Sequence, residues 1–223
     1  MKKVLIALVA LLCTQAALAF DRDGDIDRLQ DSATILSEIM TAPDSGVPDN
    51  VISNAKCIAV IPNMLKAAFG VGGAYGKGVA SCRTGHGWSA PAFFTLRGGS
   101  FGFQIGGQAA DIVMLVMNDR GMAGLLASKV KLGGDASVAA GPVGRHADAS
   151  TDWKMQAELL TYSRTKGLFA GISLNGAVLE QHKDDTRDFY GHMVPFRTIL
   201  HGQIPSPGEA EPWRAALVKY AGR

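Results

Sequence analysis

A segment of alternating small residues between Phe69 and Ser81 is the feature that most constrains the fold. From position 68 to position 80, every second residue is glycine or alanine, and the intervening positions include valine, tyrosine and lysine. Because the side chains of a strand alternate between its two faces, one face of this strand carries almost no side chain. A bare face allows another strand, a helix or a ligand to approach the backbone closely. The segment therefore predicts a tightly packed strand.

The rest of the chain predicts strands in the middle and helices at the ends. Apolar residues recur at helical spacing in residues 26–40, with Ile26, Leu29 and Leu36 on the apolar face, and Pro212 begins a C-terminal helix. This order indicates an α+β fold whose sheet is mostly antiparallel and strongly bent or barrel-like. The other predicted elements are strands at 57–61, 111–117, 135–143 and 168–179 and short helices or helical turns at 51–55, 63–68 and 122–130.

The N-terminus has the three parts of a secretory signal peptide. Lys2 and Lys3 form a basic start, an apolar run continues to Leu12, and a small-x-small cleavage site ends at Ala19. We expect cleavage after Ala19, which makes the first 19 residues a signal and residues 20–223 one mature domain. The expected location is therefore periplasmic or secreted.

Removal of this signal changes the charge balance. The full chain has 22 basic and 20 acidic residues, and two of the basic ones lie in the signal, so the mature chain has no net charge. A protein that binds nucleic acid without sequence specificity needs a basic surplus, so this class is excluded. Contact with an anionic membrane must come from a local basic patch.

Two cysteines remain in the mature chain, Cys57 and Cys82, and each lies in a short apolar run typical of a strand. An even pair in an oxidising compartment is compatible with a disulfide. Two buried thiols are equally compatible with this pattern, so the sequence leaves both alternatives open.

The motifs that could bind a cofactor or a metal fail on their spacing. The glycines of residues 70–78 lack the spacing of a phosphate loop and of a dinucleotide fingerprint. The aspartates of residues 21–27 lack the glycine and glutamate positions of a calcium loop, and the five histidines show no zinc spacing. We expect neither a cofactor nor a metal.

One segment matches a catalytic motif in its residue types and spacing. Residues 98–102 match the Gly-x-Ser-x-Gly elbow of serine hydrolases, with Ser100 at the nucleophile position. That elbow needs a strand before the serine and a helix after it. Here residues 97–99 favour a hairpin turn, and the residues from Phe101 onward alternate as in a strand. A serine hydrolase is therefore a remote alternative, and we expect a protein that is not an enzyme.

Seven segments, in order along the chain, together resemble the SYLF-domain family over about residues 30–195. The segments are AKCIAVIP at 55–62, GVGGAYGKG at 70–78, WSAPA at 88–92, GFQIG at 102–106, LGGDAS at 132–137, AGPVGR at 140–145 and YSRTKGLFAG at 162–171.

The resemblance implies lipid binding without catalysis. Eukaryotic SYLF proteins bind phosphoinositides through an N-terminal amphipathic helix and a basic surface, some bind actin, and bacterial members are mostly exported envelope proteins. Residues 26–40 correspond to that helix by position. The cations that correspond to the basic surface, as candidate contacts to a lipid head group, are Lys66, Lys77, Arg164 and Lys166.

The sequence thus favours a domain of the bacterial cell envelope that binds phospholipid or another anionic lipid and contacts the membrane peripherally. Its expected apolar surface for lipid is the small-residue face of the strand at 69–81 together with Ile26, Leu29 and Leu36 of the first helix. Export would separate such a domain from actin, so we expect no actin binding. The alternative is a structural or protein-interaction protein of the envelope, without a lipid ligand, whose glycine-rich sheet packs only against itself.

Overall fold

The computed structural model describes the backbone of residues 2–42, 46–69, 71–101, 106–143, 157–165, 168–171 and 174–222. Within these ranges it describes the side chains of residues 22–42, 46–65, 73–98, 109–143, 157–164 and 174–222. The helices are α1 (Lys2–Thr41), α2 (Asp49–Asn54), α3 (Asp119–Leu126), α4 (Lys183–Tyr190), α5 (Phe196–Leu200) and α6 (Glu211–Ala221), with a 3-10 turn at Gly208–Ala210.

The strands lie between α2 and α4. They are β1 (Cys57–Phe69), β2 (Val71–Thr84), β3 (Gly87–Trp88), β4 (Ala92–Phe101), β5 (Gly106–Val116), β6 (Lys129–Lys131), β7 (Val138–Ala140), β8 (Leu159–Thr165), β9 (Leu168–Gly171) and β10 (Val178–Gln181).

These strands form one strongly curled sheet in the order β6-β10-β4-β2-β1-β5-β8-β7, with β3 beside β2 and β9 beside β8. The pairs are antiparallel except β7 and β8, which run parallel. The prediction of an α+β fold with a bent, mostly antiparallel sheet and a helix at each end is confirmed.

Both faces of the sheet are covered by buried apolar side chains. On the first face, Ile61, Phe94 and Met114 belong to a core that also includes side chains of α3 and α5. On the second face, the core includes side chains of α1, α2 and α6, with Trp213 among the largest fully buried residues. The sheet therefore separates two cores, and α1 belongs to the second.

The bare face of β2 is filled by the protein itself at the two central glycines. A Cβ on Gly78 would lie 2.5 Å from the carbonyl oxygen of Val60 and 2.7 Å from Cζ of Phe94. A Cβ on Gly76 would lie 2.5 Å from Cγ2 of Ile61. Side chains of the neighbouring strands thus lie over β2, which only glycine permits at these positions.

β1 is longer than predicted. It continues through Pro62 to Phe69, so the predicted stop at residue 61 and the helical turn at 63–68 are wrong. The register with β2 shifts between Val60 and Leu65, and Asn63 has a φ of 48°. This β-bulge accommodates the proline, which cannot donate a ladder hydrogen bond. The N–H of Asn63 instead donates to Oδ1 of Asp111 at 2.9 Å.

Three further boundaries differ from the prediction. β4 runs unbroken to Phe101, so the turn predicted at 97–99 is wrong, and both glycines there stay in register with β2. The strand predicted at 168–179 is two strands, because the chain turns at Gly176, where φ is 84°. The strand predicted at 135–143 is limited to Val138–Ala140.

A disulfide joins Cys57 and Cys82, which are register partners on β1 and β2. Both residues are fully buried in the first core. The sequence leaves open a disulfide or two buried thiols, and the structure contains the disulfide.

Candidate functional site

The candidate site is the seam along which α1 lies on the sheet. Residues 22–41 of α1 present Leu29, Leu36 and Ile39 to the second core, and none of these three side chains has any exposed surface. Ile26 packs against the same core and is partly buried. The helical spacing of the sequence thus produces an apolar face that packs against the sheet and α6.

A partly buried charge cluster fixes the N-terminal part of this seam. Oδ2 of Asp185, on α4, accepts a hydrogen bond from Arg28 of α1 at 2.8 Å, and its Oδ1 accepts one from Nζ of Lys77 on β2 at 2.8 Å. Arg28 also donates to Oδ1 of Asp25 at 2.8 Å. Nδ1 of His182 lies 2.9 Å from Oδ1 of Asp185. These five residues, here called the Asp185 cluster, connect α1, α4 and β2.

The two carboxylates of this cluster titrate differently. Burial raises the pKa of Asp25 to about 7, and the negative charge of Asp185 adds to the increase. Burial also acts to raise the pKa of Asp185, but hydrogen bonds from His182 and Lys77 and the charge of Arg28 outweigh it and lower that pKa to about 2. Asp185 is therefore the permanent anion of the cluster, and Asp25 gains its charge near neutral pH.

A second charge cluster fixes the C-terminal part of the seam. Arg164 on β8 donates from Nε to Oδ2 of Asp111 on β5 at 2.7 Å and also pairs with the carboxylate of Glu38 on α1. Oδ1 of Asp111 is the acceptor for the backbone N–H of Asn63 at the β1 bulge. These four residues, here called the Arg164 cluster, hold α1 against β5 and β8.

Ser100 lies within β4, in register with Gly72 of β2. A nucleophile elbow places the serine on a sharp turn from a strand into a helix. β4 instead continues past Ser100 to Phe101, so the backbone at this position lacks the geometry of the elbow.

An open groove lies apart from the seam. It runs between the β2–β3 turn and α6, and Trp88 at its edge donates through its indole N–H to the carbonyl oxygen of Gly222 at 2.7 Å. The groove contains none of the residues predicted to bind lipid. Within the described part of the chain, no helix is long and apolar enough to cross a membrane.

Comparison with known proteins decides the family. Residues 97–220 match the family model described as "Ysc84: Las17-binding protein actin regulator". The chain is 37% identical over 171 residues to rat SH3 domain-containing YSC84-like protein 1, a match that covers 76% of this chain and 50% of the rat protein. It is 34% identical over 173 residues to Protein YSC84 of Saccharomyces cerevisiae, covering 76% of this chain and 37% of the yeast protein.

The chain belongs to the Ysc84 family of SYLF-domain proteins. The family predicted from the ordered motifs is thus confirmed. The SYLF chain spans about half the length of the rat relative and less of the yeast one. The family description refers to binding and regulation, and the names of these two relatives refer to no enzymatic activity.

The seam of this SYLF domain contains two of the four predicted head-group cations. Lys77 belongs to the Asp185 cluster and Arg164 to the Arg164 cluster, at the two ends of the docked part of α1. The side chain of Lys66 and the whole of Lys166 lie outside the described residues. Leu29 and Leu36 are inside the second core, so in this conformation they offer no surface to a ligand.

Sequence reasoning missed the carboxylates of the seam. Lys77 and its partner Asp185 are 108 residues apart, and Arg28 and Asp185 are 157 residues apart. No local spacing connects residues so distant in the chain. The one usable signal was a pair of acidic residues, Asp184 and Asp185, at the start of a helical segment, where the helix dipole favours negative charge.

Proposed function

We propose that this SYLF domain is a non-enzymatic lipid-binding protein of the cell envelope, with phospholipid or another anionic lipid as its ligand at the α1 seam. The observation that carries the proposal is the position of Lys77 and Arg164. The two cations bracket an amphipathic helix, and each is bound to a carboxylate. A lipid supplies both an anionic head group for such cations and apolar chains for such a helix.

The exchange of one acidic partner for a phosphate is the first step of binding. The Glu38 side chain is 45% exposed, whereas that of Asp111 is 11% exposed. A phosphate that approaches from solvent therefore replaces Glu38, while Asp111 keeps Arg164 in position. Arginine makes charge-assisted hydrogen bonds to phosphate as it does to a carboxylate, and it can make two of them at once.

Loss of the Glu38 contact loosens the C-terminal part of α1. The apolar face that carries Leu36 and Ile39 then becomes available to acyl chains. Because this face has no exposed surface in the docked state, it gives the protein no affinity for lipid until α1 moves. Binding in this scheme couples head-group recognition to exposure of the helix.

Export belongs to the same proposal. The signal at residues 1–19 sends the domain to the periplasm or the exterior, away from actin, although the matching family description refers to an actin regulator. The lipid encountered there is the phospholipid of the envelope.

The alternative is an envelope interaction protein without a lipid ligand, and one observation favours it. The positions of Gly76 and Gly78 are filled by side chains of neighbouring strands, so the small-residue strand is packed against its own sheet there. This packing accounts for those two glycines without any ligand.

Native mass spectrometry of gently purified protein, with dispersed short-chain phosphatidylglycerol added, tests the proposal. We expect a bound lipid adduct on the wild type and at least a tenfold loss of affinity in the double variant Lys77→Gln, Arg164→Gln, which corresponds to about 1.4 kcal/mol. The matched control is Arg187→Gln, which removes an exposed arginine that pairs with Asp184 on the same helix. A wild-type protein that carries no lipid and takes up none would overturn the proposal and favour the interaction protein.

A further inference from the structure

A row of register partners crosses the sheet beside the bulge of β1. Leu65 on β1 pairs with Ala109 on β5 and with Tyr75 on β2, and Tyr75 pairs with Arg97 on β4. Arg97 then pairs with Val178 on β10, and Val178 pairs with Lys131 on β6. Directly opposed residues of an antiparallel sheet have their side chains on the same face. The six side chains therefore form one row, here called the sheet row.

The sheet row lies on the face that carries α1. Tyr75, Lys77 and Val79 alternate onto the same face of β2. Lys77 contacts the Asp185 cluster of the α1 seam, and Val79 belongs to the second core. The sheet row is thus the continuation of the α1 face.

The centre of this row is apolar and exposed. Leu65 is 61% exposed and Tyr75 is 43% exposed. These are the two highest exposed fractions among the large hydrophobic residues in the described part of the chain. Ala109 beside Leu65 is exposed as well. Scattered exposed apolar residues are ordinary, whereas two that are direct cross-strand partners form a patch.

One end of the row is basic. Arg97 and Lys131 are exposed, and the guanidinium of Arg97 lies 5.9 Å from the ring centroid of Tyr75. None of the six residues is acidic. Among the residues whose side chains the structure describes, neither cation forms an ion pair, unlike Lys129, whose Nζ lies 3.9 Å from Oε2 of Glu180.

We infer that the sheet row docks the protein onto an anionic bilayer surface. Leu65 enters the edge of the acyl region, Tyr75 lies at the level of the head groups, and Arg97 and Lys131 contact their phosphates. Tyrosine is enriched at this level of a membrane because its ring is apolar and its hydroxyl is polar. The inference rests on the proposed function for the class of ligand, and it adds a contact surface on the sheet, apart from the α1 seam.

The shape and charge of the row select a bilayer over other ligands. Its six strands are spaced about 4.8 Å apart, so the row extends about 24 Å, far more than one head group occupies. Because the mature chain has no net charge, attraction to an anionic membrane requires a local concentration of cations such as this one. A second copy of this chain, packed row against row, would offer these two cations no acidic residue of its own row.

Co-sedimentation with phosphatidylcholine vesicles, with and without phosphatidylglycerol, tests the inference. We expect the wild type to bind the anionic vesicles, and the variant Arg97→Gln, Lys131→Gln to bind them at least tenfold more weakly, since each cation near an anionic surface contributes about fivefold. Leu65→Ser should lose several-fold in affinity because it removes the inserted side chain. The matched controls are Arg187→Gln for charge and Met193→Ser for exposed apolar surface, and both should bind as the wild type does.

The outcomes separate this inference from the proposed function. Vesicle binding that is weakened by Lys77→Gln, Arg164→Gln and unaffected by the sheet-row variants overturns the inference and leaves the proposed function standing. A wild-type protein that binds neither dispersed lipid nor vesicles overturns both. A wild-type dimer that Leu65→Ser converts to a monomer, without any vesicle binding, assigns the row to a second copy of the chain and also overturns the inference. Thermal unfolding of each variant is the control for folding. A variant that unfolds at the same temperature as the wild type has lost binding through its changed surface and not through loss of structure.

Discussion

At the scale of single residues, the seam depends on a carboxyl group whose charge changes near neutral pH. Asp25 is almost fully buried, and its Oδ2 meets no hydrogen-bond partner among the described residues. One cation, Arg28, lies between it and Asp185. Ionisation of Asp25 thus places a second negative charge in a cluster that already contains a permanent one.

The sign of the pH dependence follows from the direction of this shift. The pKa of Asp25 is raised from 3.8 to about 7 in the folded protein, so its contribution to stability is complete below about pH 4 and is lost as the pH rises through 7. Asp185 has the opposite dependence, because its pKa is lowered in the folded protein. Its contribution to stability is complete above about pH 4 and is lost as the pH falls towards 2. Between about pH 4 and pH 7, the ionisation of Asp25 therefore determines how the free energy of unfolding changes with pH.

We therefore predict that Asp25→Asn flattens the pH dependence of the free energy of unfolding. Wild type should be less stable at about pH 8 than at about pH 5, whereas the uncharged asparagine should give nearly equal values. Urea denaturation of the wild type and of the variant at the two pH values measures these free energies of unfolding. An Asp25→Asn protein that retains the wild-type slope would show that another group is responsible.

A second residue-scale prediction concerns the glycines of β2. The Cβ of Gly78→Ala would lie 2.5 Å from the carbonyl oxygen of Val60, which belongs to the backbone and cannot rotate away. We expect a loss of about 1–3 kcal/mol, the usual cost of overpacking. On the same strand, the one described atom that a Cβ at Gly73 would meet is the carbonyl oxygen of Gly98, at 4.0 Å, so Gly73→Ala should change stability by no more than about 0.5 kcal/mol. Equal effects of the two substitutions, measured by urea denaturation, would contradict the packing described here.

At the scale of elements, local patterns in the sequence predict α1 and β2 well. The spacing of Leu29 and Leu36 predicts both the helix and its apolar face, and the alternation of small residues predicts β2 and its bare face. The sequence assigned both faces to a lipid, whereas the structure packs Leu29, Leu36 and the central glycines of β2 against the protein itself. Both patterns work because helix and strand periodicity depends on near neighbours in the chain. Elements with short or broken patterns, such as β7, were predicted only approximately.

Other features depend on contacts between distant parts of the chain and could not be predicted in this way. The bulge at Pro62 is stabilised by Asp111, 48 residues from Asn63. The acidic partners of Lys77 and Arg164 are likewise distant in the chain. The prediction that these cations contact a lipid head group therefore did not include their ion pairs within the protein. The sequence therefore identified these two cations as candidates and did not reveal their ion pairs.

The disulfide between β1 and β2 carries a prediction at this scale. The bond spans 25 residues of sequence, and a closed loop of this size restricts the unfolded chain enough to stabilise the fold by about 3 kcal/mol. We expect the double variant Cys57→Ala, Cys82→Ala to lose about that amount, measured by urea denaturation. Reductant should destabilise the wild type and leave the double variant unchanged. A wild type that is insensitive to reductant under unfolding conditions would contradict a bridge between these two residues.

At the scale of the whole molecule, one curled sheet separates two cores, and its α1 face carries three features of different chemistry. The Asp185 cluster and the Arg164 cluster hold the ends of the docked helix, and the sheet row presents an apolar centre with a basic end. With the predicted signal removed, the chain would carry no net charge, so these local arrangements would determine how it meets a charged partner. The proposed lipid binding would use all three.

Co-sedimentation of the wild-type protein with phospholipid vesicles tests this account most directly. We predict binding to vesicles that contain phosphatidylglycerol, little binding to phosphatidylcholine alone, and weaker binding as salt is raised, because surface charges are screened beyond about 10 Å at 0.1 M ionic strength. A protein that stays in the supernatant with both kinds of vesicle, at low salt as well as high, would contradict the central claim.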